Sequence, residues 1–168
     1  PEGIGDFSDL YVNGKRADYT RYPENGVLDV LDVEVKTEGL GAGSKWFIAK
    51  PGDIPNDLRN PEQVIVSFCH YWIDEHSPIA SYDPDTGKVV MQYRSRFNIS
   101  GTQDSHTAIR YYLENVAHTF GKPNQWYRDG NKVYYCPEEG MGAADMDAYI
   151  PCVEYFLDIE GTAEQKAG

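Results

Sequence analysis

The segment Tyr82-Asp83-Pro84-Asp85-Thr86-Gly87 constrains the fold most strongly, because it reverses the chain within a few residues. Pro84 fixes φ and Gly87 accepts positive φ, so Ser77–Asp83 and Lys88–Tyr93 are expected to pair as an antiparallel hairpin. A second reversal is expected at Asp129-Gly130-Asn131, between Gln125–Arg128 and Lys132–Cys136. Turns this tight bind neighbouring runs into local strand pairs. The 13 Tyr, 16 Gly and 10 Pro of the 168-residue chain fit the same picture of short strands and many turns.

Other runs extend the pattern. Leu28 to Lys36 mixes apolar and acidic residues on both alternating faces, which predicts a register switch at a bulge. Ser44 to Lys50 and Val64 to Ile73 are aromatic and β-branched, as strands prefer. Pro151 divides Ala148 to Ile159 into one bent or two short strands. A short helical turn is expected near Asn56 to Arg59, between two prolines. Helical periodicity is clear only in Ile109, Tyr112, Leu113 and Val116, with Asp104 or Ser105 as N-cap and Gly121 and Pro123 as stops. These residues predict one packed α-helix at about 106–118. With no repeat and no linker, residues 1–168 read as a single mainly β domain.

The net charge of −12 and the scattered basic residues argue against nucleic acid or an anionic membrane as partner. No apolar stretch has the length of a membrane span, and the start Pro-Glu-Gly-Ile-Gly lacks signal-peptide character. Processing or trimming that removes an address is the expected reason for the missing initiating Met. Cys69, Cys136 and Cys152 are widely spaced and odd in number, which favours reduced, mostly buried thiols over a single bridge with one free thiol, and leans towards a reducing compartment such as the bacterial cytoplasm, with secretion as the alternative.

Motif searches point away from self-contained catalysis. Gly39-Leu40-Gly41-Ala42-Gly43-Ser44-Lys45 has Ser before Lys, the reverse of a phosphate-binding loop, and a strand-like run follows it. It reads as a connecting loop. No nucleophile elbow is present. The pairs Asp74/Glu75, Asp83/Asp85, Glu138/Glu139 and Asp145/Asp147 are too numerous to select an acid and a base. Asn98-Ile99-Ser100 matches a glycosylation sequon, relevant only in a eukaryotic secretory pathway. The stretch His70-Tyr71-Trp72-Ile73-Asp74-Glu75-His76 is the best binding candidate. If extended, it projects His70, Trp72, Asp74 and His76 to one face, where an aromatic ring beside hydrogen-bonding groups suits a sugar. Burial of Trp72 in the core is the competing reading. No cofactor and no metal site is expected.

Three stretches together carry a more specific likeness. They are Phe7-Ser8-Asp9-Leu10-Tyr11-Val12-Asn13-Gly14-Lys15-Arg16-Ala17 with Arg21-Tyr22-Pro23, then Arg110-Tyr111-Tyr112-Leu113-Glu114-Asn115-Val116, then Gln125-Trp126-Tyr127-Arg128-Asp129 with Val133-Tyr134-Tyr135-Cys136-Pro137. In this order they resemble the insertion domain of right-handed parallel β-helix glycoside hydrolases, of the kind found in glycoside hydrolase family 141. The resemblance runs from residue 7 to about 161. Phe156-Leu157-Asp158-Ile159-Glu160-Gly161-Thr162 is similar to the point where such proteins return to their β-helix.

The resemblance implies a β-sandwich-like accessory domain whose partner is the parent β-helix, with the acid and base located in that solenoid and none of them in this chain. Trp46, Trp72 and Tyr111 are then expected glycan contacts, with an oligo- or polysaccharide as ligand. The stretch Gly121-Lys122-Pro123-Asn124-Gln125-Trp126-Tyr127 departs from the acidic run usual at this point, so specificity is expected to differ. Two alternatives stand beside this reading: an independent carbohydrate-binding module, and a self-contained carboxylate-dependent glycosidase.

Overall fold

The turn chemistry places the strands. The computed structural model describes residues 7–35, 41, 43–70, 73–99, 110–152 and 157. In chain order these contain β1 Tyr11–Val12, β2 Lys15–Arg16, β3 Asp18–Tyr19, β4 Arg21–Tyr22, β5 Leu28–Val33, β6 Trp46–Ala49 and β7 Ile65–Cys69. They continue with β8 Asp74–Asp83, β9 Lys88–Met91, β10 Arg110–Glu114, β11 Gln125–Asp129, β12 Lys132–Tyr135 and β13 Ala148–Tyr149. Short 3-10 turns lie at Pro61–Gln63, Ala117–Thr119 and Ala143–Asp145.

Both expected hairpins form. Asp83 pairs with Lys88 across the Gly87 turn, where φ is 70°. Asp129 pairs with Lys132 across Gly130, where φ is 59°. At Asn13-Gly14 both φ values are positive, and the turn joins β1 to β2. The predicted irregularity in β5 is present as a register shift between Val30 and Asp32.

Six strands close on themselves in the order β10-β5-β6-β9-β8-β7, with β7 pairing back onto β10. Every pairing around this barrel is antiparallel. A closed barrel with two small separate sheets thus replaces the sandwich-like packing that the family resemblance implied. Closure leaves no free edge around the ring, and alternate residues fill the interior. Val30, Phe47, Val66, Phe68, Ile79, Val89, Met91, Tyr111 and Leu113 make up much of this core, each at most 3 % exposed.

The helix expected at 106–118 is corrected for its described part. Arg110–Glu114 is strand β10, hydrogen-bonded along its whole length to β7, and Ala117–Thr119 is a 3-10 turn. The apolar residues there satisfy a period of two as well as 3.6, and the tyrosines suit a pleated sheet. Asn115 then leaves the strand with φ 64°. The helical turn expected at Asn56–Arg59 forms later, at Pro61–Gln63.

Two three-stranded sheets, β13-β1-β2 and β12-β11-β3, surround a second core of Leu10, Val12, Ala17 and Trp126. Trp126 stacks with the rings of Tyr19 and Phe7, with centroids 4.4 and 5.5 Å away. Asn115 ties this module to the barrel. Its Nδ2 donates to the carbonyls of Gln63 (3.0 Å) and Arg128 (3.1 Å), and its Oδ1 accepts from the Arg128 N–H at 2.6 Å. The Gln63 side chain adds a bond in each direction to the Gly130 backbone. Both side chains satisfy backbone donors and acceptors along the seam.

All three cysteines are free. The expectation of mostly buried thiols is corrected: Cys69 and Cys136 are half-buried and Cys152 is exposed. Among the described residues no helix is long and apolar enough to cross a membrane, and no group of three or more His, Cys, Asp or Glu is arranged to hold a metal ion.

Candidate functional site

The hairpin between β7 and β8 divides the residues expected on one face. Cys69 pairs with Asp74, which leaves 70–73 as the connection and breaks the extended run assumed from sequence. Trp72 lies outside the described residues. The His70 side chain turns in and is only 6 % exposed, with Nε2 2.7 Å from Glu75 Oε2. This contact is close but poorly angled for a hydrogen bond, and it is an ion pair only when the imidazole is protonated. Glu75 also accepts from the backbone N–H groups of Arg96 and Phe97, and so clamps the loop over that end of the barrel.

Asp74 and His76 remain together on the outer surface of β8. Strand register arranges that surface in three rows. The first is Glu114–Ile65–Pro78, the second Tyr112–Ser67–His76, and the third Arg110–Cys69–Asp74. The intervening residues Tyr111, Leu113, Val66 and Phe68 point inward, as period-two alternation requires.

Ser67 is the centre of the second row. Its Oγ donates to Glu114 Oε2 at 2.6 Å and lies 2.8 Å from His76 Nδ1. A hydroxyl has one hydrogen and an ionised carboxylate can only accept, so His76 Nδ1 carries a proton and donates to Ser67. In the neutral ring Nε2 is then the acceptor, on a side chain that is 50 % exposed. Beside this row the Arg21 guanidinium lies 4.2 Å over the Tyr112 ring and donates to the carbonyls of Pro23 (2.9 Å) and Gly26 (2.6 Å). Burial pushes the Tyr112 hydroxyl and the Cys69 thiol above their ordinary values.

Trp46 and Tyr111 do not join this surface. Trp46 lies on β6, separated from β8 by β9, with Lys88 Nζ 4.6 Å over its ring. Tyr111 is fully buried in the barrel, edge-on to Phe47 at 4.9 Å, and burial holds its hydroxyl far above the ordinary tyrosine range. It has no surface to offer a ligand. Ser67, Glu114 and Tyr112 were absent from the sequence-based site. The available signal was a lone hydroxyl inside the apolar run Val64-Ile65-Val66-Ser67-Phe68-Cys69.

A cleft of about 330 Å³ opens next to the first row, at the seam between barrel and small module. Ile65, Pro78, Phe7 and Tyr19 supply its apolar lining, and Glu62 and Arg128 its charged groups. A second hollow of about 330 Å³ lies across the small module, lined by Leu10, Val12, Val133, Met146, Tyr149 and their neighbours, with no charged side chain.

No family model matches this sequence, and no curated protein matches it either. The fold is similar to a solved structure titled "Glycoside hydrolase", with a TM-score of 0.66 and 22 % identity. The similarity covers 95 % of this chain and 29 % of that one, so the chain spans under a third of the length of the protein it matches.

Proposed function

We propose that this chain is a non-catalytic accessory domain of a β-helix glycoside hydrolase, one that packs on the solenoid and shapes its glycan-binding groove. The observation that carries this reading is the extent of the structural match: nearly all of this chain corresponds to a domain-sized share of a glycoside hydrolase.

Two features of the molecule support it. Several carboxylates have structural work: Glu75 clamps a loop, Glu34 holds Arg94 at 2.9 Å, Asp83 accepts within its own hairpin turn, and Asp29 pairs with Lys50 at 2.6 Å. The uncharged hollow across the small module, bordered by Val133 and Tyr149 at 44 % and 47 % exposure, suits a surface that meets another domain.

The test compares the parent enzyme with and without this segment, and the purified chain by itself. The chain alone is expected to release no sugar from glycosides, while its removal changes the substrate range or KM of the parent. Glycoside turnover by the isolated chain, abolished by one carboxylate substitution, would refute the proposal. Val133→Asp is expected to weaken association of the chain with the remainder of the parent when the two are supplied separately.

A further inference from the structure

We infer that the seam cleft and the rows beside it form one linear binding site for an uncharged saccharide. The cleft seats a pyranose ring, and Glu114, His76 and Asp74 accept hydrogen bonds from hydroxyls further along β7 and β8. This rests on the carbohydrate reading above and adds to it a place and a ligand class.

The chemistry of the surface changes along the strands. Ile65 and Pro78, from the first row, form an apolar floor continuous with Phe7 and Tyr19, and a pyranose ring presents just such a surface on its C–H face. Glu62 and Arg128 line the same cleft and offer polar partners to the hydroxyls of a seated ring. One row on, roughly 7 Å along the strand, the surface becomes polar at His76, with the buried Ser67 hydroxyl holding its ring from beneath. Asp74 follows after the same step. An apolar seat followed by hydrogen-bonding groups at regular intervals matches a chain of sugars better than a single small molecule.

The polar groups are set to accept. The bond from Ser67 to Glu114 fixes the His76 proton on Nδ1 and leaves Nε2 outward as an acceptor in the neutral ring. Glu62, Glu114 and Asp74 are carboxylates. Three cations border the site and each is engaged: Arg21 with backbone carbonyls and the Tyr112 ring, Arg128 over the Phe7 ring at 4.9 Å, and Arg110 with Asp29 at 3.7 Å. A row of acceptors recognises hydroxyl donors, and on a chain of net charge −12 it disfavours a ligand carrying carboxylates of its own.

The site is also preformed. Asn115 and Gln63 bind the 3-10 turn to β11 and to Gly130, so both walls of the cleft are fixed to the barrel before any ligand arrives. Such preorganisation lowers the cost of binding.

The experiment is an amide-resolved NMR titration of the isotope-labelled 168-residue chain. The probes are tetrasaccharides of β-1,4-linked xylose, β-1,4-linked glucose and α-1,4-linked galacturonic acid. A neutral probe is expected to shift the amides of Glu62, Ile65, Asp74, His76 and Arg128, and galacturonate to leave them unmoved. Glu62→Gln and His76→Ala should each raise the Kd about tenfold, the loss of one hydrogen bond to a charged or fixed acceptor. Unchanged shifts in β5, β6 and β9 show that the variants fold.

Binding at the hollow bordered by Val133 and Tyr149 instead, equal response to galacturonate, or no response to either neutral probe at its solubility limit would each overturn the inference. None of these results bears on the accessory-domain proposal, which is decided by the turnover assay and the parent without this segment.

Discussion

Replacing Asn115 with Ala should cost this domain a large part of its stability, because one small side chain carries the seam between its two cores. Three side-chain hydrogen bonds are lost, at 3.0, 3.1 and 2.6 Å. At about 1 kcal/mol net for each bond, that is roughly 3 kcal/mol. The residue also has φ 64°, where Ala is disfavoured by about 1 kcal/mol. The total, roughly 4 kcal/mol, compares with a stability of about 5–15 kcal/mol for a typical domain.

Urea unfolding followed by tryptophan fluorescence, to which Trp126 contributes beside Trp46 and Trp72, should place Asn115→Ala about 4 kcal/mol below the wild type. Asn115→Gly tolerates the backbone conformation but makes none of the bonds, and should fall about 1 kcal/mol short of that loss. In thermal melts the Ala variant should unfold roughly 8–16 °C earlier, at about 2–4 °C per kcal/mol for a domain of this size. An Ala variant within about 1 kcal/mol of wild type would refute the account of the seam.

Other substitutions probe the barrel and its chemistry. Tyr111→Phe removes a buried hydroxyl that has no hydrogen-bond partner among the described residues, so it should raise stability by about 1 kcal/mol in the same urea assay; a loss of that size would mean the hydroxyl is satisfied. Burial raises the hydroxyls of Tyr82, Tyr111, Tyr112, Tyr127 and Tyr135 above their unfolded value. Their contribution is therefore complete below about pH 10 and is lost as pH rises through the folded values. Stability measured against pH should decline there, less steeply in Tyr111→Phe. A methyl group at Gly43 would sit 1.5 Å from the Ser95 carbonyl oxygen, so Gly43→Ala should cost about 3 kcal/mol by thermal melt. Brief alkylation with iodoacetamide, read by peptide mass spectrometry, should label Cys152 first and Cys69 last, because burial raises the Cys69 thiol.

Features decided by neighbouring residues were legible in the sequence. The turn at 84–87 and Gly130 specify their reversals through local backbone chemistry, and each forms as expected. Even the bulge in β5 is visible in its mixed alternation. Strand β10 was not legible, because its partners β7 and β5 are distant in sequence and its apolar spacing satisfies two periods at once. The same limit governed the site. His70 and Asp74 lie four residues apart, yet one belongs to a barrel end and the other to the outer wall, since the hairpin turns between them. Ser67, Tyr112 and Glu114 meet His76 through register alone, which no single stretch of sequence records.

The position of β10 has a consequence for how the chain acquires its structure. It is the last of the barrel strands to be synthesised, and its two sides take up β7 on one hand and β4 and β5 on the other. Before it arrives, β5 and β7 each present an open edge able to pair with another nascent chain. Closure by so distant a contact is slow compared with forming the hairpins, so the interval of exposure falls between translation of residue 91 and residue 114. Once β10 docks, the ring has no end from which to fray, and its amides should exchange with solvent only as fast as the whole barrel opens.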